Sequence, residues 1–144
     1  MKTAHLHDLW DSPDNARLTT KQFSFRLPVH IAAKIGALCE MYPQKNRTQI
    51  VADLLAAALD DLEKNLPEEL GHLGDEENQY HDRMAAEASN EEYVPYYTLG
   101  GTRGRFRNIA NQHYDELEKE LGNEQPTPLY KQIWITEAQM KAKK

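Results

Sequence analysis

Residues 21–27, KQFSFRL, alternate without a break. Phe23, Phe25 and Leu27 fall on one side, Gln22, Ser24 and Arg26 on the other. A period of two is that of a half-buried strand. Pro28 ends it, holding Leu27 extended and suiting the first turn of a helix. The period then changes. Ile31, Ile35, Leu38 and Tyr42 stand at i, i+4, i+7 and i+11, which predicts a helix to about Met41, stopped at Tyr42-Pro43. In the following NRTQI, Asn46 is a good N-cap and Gln49 completes a capping box. A second helix carries Ile50, Val51, Leu54, Leu55, Ala58, Leu59 and Leu62 on one broad apolar face, and Leu66-Pro67 closes it.

The pattern is weaker beyond this point. Residues 67–92 are acidic, contain Gly71 and Gly74, and read as a linker holding one helix near 75–89. YVPYYTL (93–99) reads as a strand weakened by Pro95, with Gly100-Gly101 as a turn. Phe106, Ile109, Ala110, His113, Leu117 and Leu121 predict a helix over 106–121, with Gly122 as its stop. LYKQIWIT (129–136) reads as another strand, and Thr136 with Gln139 as the cap of a short tail helix. Residues 1–19, with Pro13 in DSPDN, read as a flexible arm. The expected division is therefore an arm (1–19), a strand and two helices (20–66), an acidic linker (67–92) and a C-terminal segment (93–144).

Charge changes this picture. The net charge is −6, but it is unevenly spread. Residues 21–50 hold five bases against one acid (net +4), 51–93 two bases against 13 acids (−11), and 94–144 eight bases against six acids (+2). Surface charges act over about one Debye length, roughly 8–10 Å. A local basic face on an acidic chain therefore still attracts an anion such as DNA.

One strand followed by two helices leaves backbone groups and an apolar face uncovered. A two-fold partner repairs both: the strands pair into a ribbon, four helices share a core, and Gln22, Ser24 and Arg26 face outward. Such a ribbon fits the major groove, where Arg suits guanine and Gln suits adenine. QFSFRLP followed by a helix, a turn and NRTQIV resembles the ribbon-helix-helix (Arc/MetJ-like) family of DNA-binding repressors, over about residues 20–66. The resemblance implies base contacts by Gln22, Ser24 and Arg26. It implies phosphate contacts at the start of the second helix by Asn46, Arg47 and Thr48, with Lys21 and Lys45 adding charge. Free amides and the positive end of the helix dipole favour an anion there. The family's buried Arg–Glu–Arg triad is not spelled; the matching face of the second helix offers Gln49 and Asp53. The expected class is thus α+β, mostly α: an intertwined ribbon-helix-helix dimer plus a small C-terminal α/β segment. The expected function is a cytoplasmic transcriptional regulator, a repressor, that binds double-stranded DNA as a homodimer or a higher oligomer.

Other features add little chemistry. His5 and His7 lack further ligands at metal spacing, and His72, His81 and His113 are scattered among acids, so no metal site is expected. Cys39 sits in an apolar helical pattern and reads as a small core residue. GGTRGRFR (100–107) offers Arg103, Arg105 and Arg107 as a second basic loop, for phosphate or an acidic partner, or simply as a solvated turn. Tyr93, Tyr96, Tyr97, Tyr130 and Trp134 suggest the core of a small sheet or a self-association surface, ahead of a ligand platform. The start of the chain lacks the apolar run of a signal peptide, and no run reaches the roughly 20 apolar residues of a membrane span. No nucleophile–base pair or phosphate loop is visible, so neither an enzyme nor a cofactor is expected. Two alternatives stand beside the repressor. One is an antitoxin with a DNA-binding N-terminus and a toxin-binding C-terminus, although residues 93–136 look more ordered than such tails usually are. The other is a small helical dimerisation or adaptor protein that does not bind DNA. Residues 93–144 are expected to join dimers or hold a protein partner.

Overall fold

The computed structural model describes Leu6, Trp10, residues 17–74 and residues 76–143. The expectations for His5, His7 and the Pro13 turn, and most of the arm reading, lie outside these residues. The described chain is α+β and mostly helical, with one three-stranded antiparallel sheet. It divides into two compact units, Met1–Asn65 and Leu66–Lys144.

The first unit holds helices α1 (Val29–Met41) and α2 (Arg47–Lys64). α1 starts where Ala32 N–H donates to the Pro28 carbonyl at 3.0 Å and stops with Tyr42 N–H on the Leu38 carbonyl. At α2 the Gln49 amide donates to Asn46 Oδ1 at 2.8 Å, and the Asn46 amide donates to Gln49 Oε1 at 3.1 Å. That is the reciprocal capping box the NRTQI spelling predicts. Ile50 and Ala57 are the most enclosed residues of α2; Leu38, Cys39, Tyr42 and Leu54 pack against them.

Two residues correct the reading of 1–19 as a flexible arm. Leu6 and Trp10 are each only 4 % exposed and belong to this core. The Trp10 indole N–H donates to the Asp53 carboxylate at 2.7 Å, and its ring meets Tyr42 edge to face at 5.1 Å. The physical reason is local: α1 and α2 alone leave Ile50 and Ala57 open, and an indole both covers them and satisfies a buried carboxylate.

The second unit contains β1 (Glu69–Leu73), α3 (Glu76–Ala88), β2 (Tyr97–Gly100), α4 (Gly101–Glu120), β3 (Trp134–Ile135) and α5 (Glu137–Ala142). The sheet order is β1-β2-β3, with Leu70 opposite Leu99, Leu73 opposite Tyr97, and Tyr97 opposite Ile135. The register shifts between Leu70 and Leu73. Residues 67–92 are therefore not a linker. The helix expected near 75–89 is there as α3 (Glu76–Ala88), but Glu69–Leu73 is an edge strand, because β1 finds its partner in β2, far along the chain.

Both expected C-terminal strands are shorter than their patterns. A side-chain amide stands in for a ladder at each lost end. Gln79, almost fully buried on α3, accepts from Tyr96 N–H and donates to the Tyr96 carbonyl, both at 3.0 Å. It also donates to the Gly74 carbonyl and accepts from the Tyr93 hydroxyl. Asn111 on α4 does the same for Tyr130, accepting from its N–H at 2.8 Å and donating to its carbonyl at 3.1 Å. The Tyr96 carbonyl also accepts from Gly74 N–H at 3.1 Å, just before the ladder of β2 begins at Tyr97, and β3 is confined to Trp134 and Ile135. Gly100-Gly101, expected as a turn, passes from β2 into α4 with no loop between them. Gly101, at φ +72°, opens α4 directly, and Gly104 lies so close to the Leu99 carbonyl that a Cβ would collide with it. At the other end, Gly122 at φ +96° follows α4 as the expected stop. Thr136 and Gln139 form a second capping box, at the start of α5.

Candidate nucleic-acid interface

The expected strand is the main departure in the first unit. Residues 22–28 make no ladder with any other described residue. The described sheet lies in the other unit, so a strand here has no neighbour among the described residues of one chain. Its side chains nevertheless keep the alternation. Phe23 and Phe25 stack nearly parallel (6°) with ring centroids 6.5 Å apart, on one side of the segment. They are 65 % and 72 % exposed, and Leu27 is also exposed. Gln22, Ser24 and Arg26, the expected base readers, are exposed as well. Within one chain, then, both sides of the segment face solvent.

α2 is apolar on two sides rather than on one broad face. Ile50 and Ala57 turn into the core, whereas Leu55, Leu59 and Leu62 are about half exposed. The latter three lie at i, i+4 and i+7, one stripe of the helix surface. Among the described residues of the first unit, the Phe23–Leu27 side and the Leu55–Leu62 stripe are thus both left uncovered.

The expected phosphate contacts separate into two groups. Asn46, Arg47 and Thr48 are exposed at the start of α2. The Asn46 oxygen is occupied by its cap, but the amides of Arg47 and Thr48 lie in the first turn, where the helix supplies no acceptor. Lys21 is exposed, and its backbone amide donates to Thr19 Oγ1 at 3.2 Å. Lys45 is corrected: it is only 8 % exposed and already engages other groups of the protein. Its aliphatic stem makes such enclosure in the α1–α2 turn inexpensive.

Arg103, Arg105 and Arg107 do not form one basic loop, because residues 101–107 are the first turns of α4. Arg103 pairs with Glu68, and its backbone N–H donates to the Pro67 carbonyl at 3.0 Å. Arg107 lies over the Tyr130 ring, 4.8 Å from the centroid. Arg105 is exposed. A helix turns roughly 100° per residue, so alternate arginines point apart. Glu68 also meets Lys143 Nζ at 3.0 Å. Burial raises its pKa, but the lysine and arginine together outweigh that and leave it lowered.

The aromatic cluster splits in the same way. Tyr96 meets Trp134 of β3 edge to face at 5.3 Å, as a small sheet core would have it, whereas Tyr130 lies outside the sheet and meets Phe106 of α4 at 6.3 Å. His72, His81 and His113 are exposed. No group of three or more His, Cys, Asp and Glu suited to a metal ion occurs among the described residues, and no helix among them is long and apolar enough to cross a membrane.

The sequence reading assigned no role to Trp10, which touches α2 through Asp53 and the turn before it through Tyr42. The available signal was the spacing of Leu6 and Trp10, four apart as on one helix face. Comparison with known proteins adds no relative: no protein-family model, no characterised protein and no solved structure matches the chain.

Proposed function

We propose that this protein is a sequence-specific DNA-binding regulator, a repressor, that works as a homodimer through a ribbon-helix-helix module in residues 20–66. The observation that carries the reading is the uncovered segment at Phe23, Phe25 and Leu27. Two stacked phenylalanines and a leucine on one side of an unpaired segment would cost several kcal/mol if left in water, at about 1.5–3 kcal/mol for each large apolar side chain. Pairing with the same segment of a second copy satisfies the backbone and lets the apolar side chains close over the exposed Leu55–Leu62 stripe. The same pairing brings two sets of Gln22, Ser24 and Arg26 onto one outward face. The Arg47 and Thr48 amides then serve as phosphate anchors beside it. An exposed polar ribbon without DNA to read would also be compatible with a plain dimerisation module, so the test must address sequence preference.

The experiment is selection of binding sites from a random duplex pool, with a footprint on the DNA flanking the protein's own gene. A defined two-fold site is expected. Arg26→Ala should weaken that site by roughly 1–3 kcal/mol per half-site and relax preference at one base pair. Equal weakening on selected and random DNA would reduce Arg26 to a phosphate contact. Failure to enrich any sequence would overturn the proposal.

A further inference from the structure

An open groove of about 490 Å³ lies within the second unit, between the β1–β2 pair and α4. Its lining has two characters. Leu70, Leu99 and Ile109 supply apolar surface; His72, Arg105 and Asn108 supply polar and cationic groups. No described acidic residue lines it, although the chain carries 23 acids against 17 bases. The smaller hollow that adjoins it shares Leu99, Gly104 and Asn108 and adds Arg107 and Lys131, again without a described acid. In a chain this acidic, such a lining is a local inversion of charge, and it favours an anion over a cation or a neutral solute.

Size narrows the occupant further. The volume falls within the roughly 300–1,000 Å³ of small-molecule sites. Arg103 is turned to Glu68 and contributes nothing, which leaves Arg105 as the exposed guanidinium of the rim. One guanidinium and one side-chain amide can hold one carboxylate, while three aliphatic side chains can hold a short hydrocarbon body. We propose that this groove binds a small amphipathic carboxylate, an acyl chain of medium length with its head at Arg105 and Asn108 and its body on Leu70, Leu99 and Ile109. The assignment is independent of the DNA-binding reading.

The test uses the full-length protein, isotope-labelled for amide spectra and titrated with decanoate and, in parallel, with decanol. Decanoate should shift the amides of residues 70–72 and 98–109 saturably. Decanol should bind at least about tenfold more weakly, since it lacks the charge-assisted hydrogen bonds. Arg105→Gln, at an exposed position, should lower decanoate affinity about tenfold and leave decanol unchanged. Ile109→Trp should block both ligands; an unaltered melting curve and spectrum away from the groove confirm that this variant is folded. Three outcomes overturn the proposal: no saturable shift with millimolar decanoate, equal binding of decanol and decanoate, or an Arg105→Gln protein that binds decanoate as before. Shifts of the same amides by a random-sequence duplex, with none from decanoate, would assign the rim to nucleic acid and equally overturn it.

Discussion

Two polar side chains show what a single residue decides in this molecule. Asp53 sits buried on α2 and receives the Trp10 indole N–H. Replacing the indole by a benzyl ring keeps most of the apolar cover but removes the donor. Trp10→Phe should therefore cost about 1–3 kcal/mol, the penalty of an unsatisfied buried polar group. Trp10→Ala, which also opens a cavity, should cost about 3–5 kcal/mol. Urea midpoints of the three proteins check the order, and a phenylalanine variant as stable as the parent would show that the bond contributes nothing. Glu68 makes a prediction in pH. Its carboxylate is held below the ordinary value of 4.5 by Lys143 and Arg103, against the opposing effect of burial. In the window from about 4.5 downward the unfolded state takes up the proton first, so stability rises with pH there. The contribution is complete above that window and fades as pH falls through the folded pKa. Glu68→Gln should flatten the acid limb of a stability–pH curve and leave its shape near neutrality alone. An unchanged acid limb would mean that the ion pairs are too weakly coupled to folding to matter.

At the scale of elements, the close approach of α4 to β2 sets a test with an unusual sign. Gly-to-Ala substitution inside a helix ordinarily stabilises by about 0.5–1 kcal/mol. Gly36, in α1, has no atom within 4 Å of where its Cβ would stand and should follow that rule. Gly104, in α4, meets the Leu99 carbonyl instead, a backbone atom that cannot turn aside. Gly104→Ala should destabilise by more than 1 kcal/mol, in the range of overpacked cores. Thermal melts of the two variants should move in opposite directions. A Gly36→Ala protein that melts lower would indicate that a second copy packs against that side of α1.

The whole molecule is asked to hide apolar surface that one chain does not cover. The first unit leaves Phe23, Phe25, Leu27, Leu55, Leu59 and Leu62 exposed. If a second copy covers them, folding and association are linked, and the melting temperature must rise with protein concentration. Phe25→Ser should lower that temperature in dilute solution while the second unit keeps its own melt. A midpoint independent of concentration together with a monomer mass in solution would remove the dimer, and with it the ribbon.

What the sequence by itself determined are the features held by contacts a few residues apart. α1 and α2 start and stop where the 3.6 period, Pro28, Pro43 and the Asn46–Gln49 box place them, and α5 begins at the Thr136–Gln139 box. Gly122 follows α4 for the same reason, since a left-handed residue after a helix is a local requirement. The alternation of residues 22–27 is equally legible, but it does not make a strand within the described chain, because a strand needs a neighbour and residues 22–28 pair with no other described residue; whether Gln22, Ser24 and Arg26 meet DNA depends on a partner that no local pattern contains. Tertiary structure decided the rest. Trp10 reaches Asp53 across 43 positions, and Gln79 reaches Tyr96 across 17. Such pairings are chosen by which surfaces remain open once the helices have formed, and no period announces them. The acidic stretch 67–92 reads as a linker because β1 has little hydrophobic pattern of its own; it is a strand only because β2 lies beside it. The arginines of 103–107 read as one loop because they are neighbours in the chain. The helix turns Arg105 to solvent, away from Arg103 and Arg107, and these two, four apart on one face, are drawn to a carboxylate and to an aromatic ring by what the fold brings beside each.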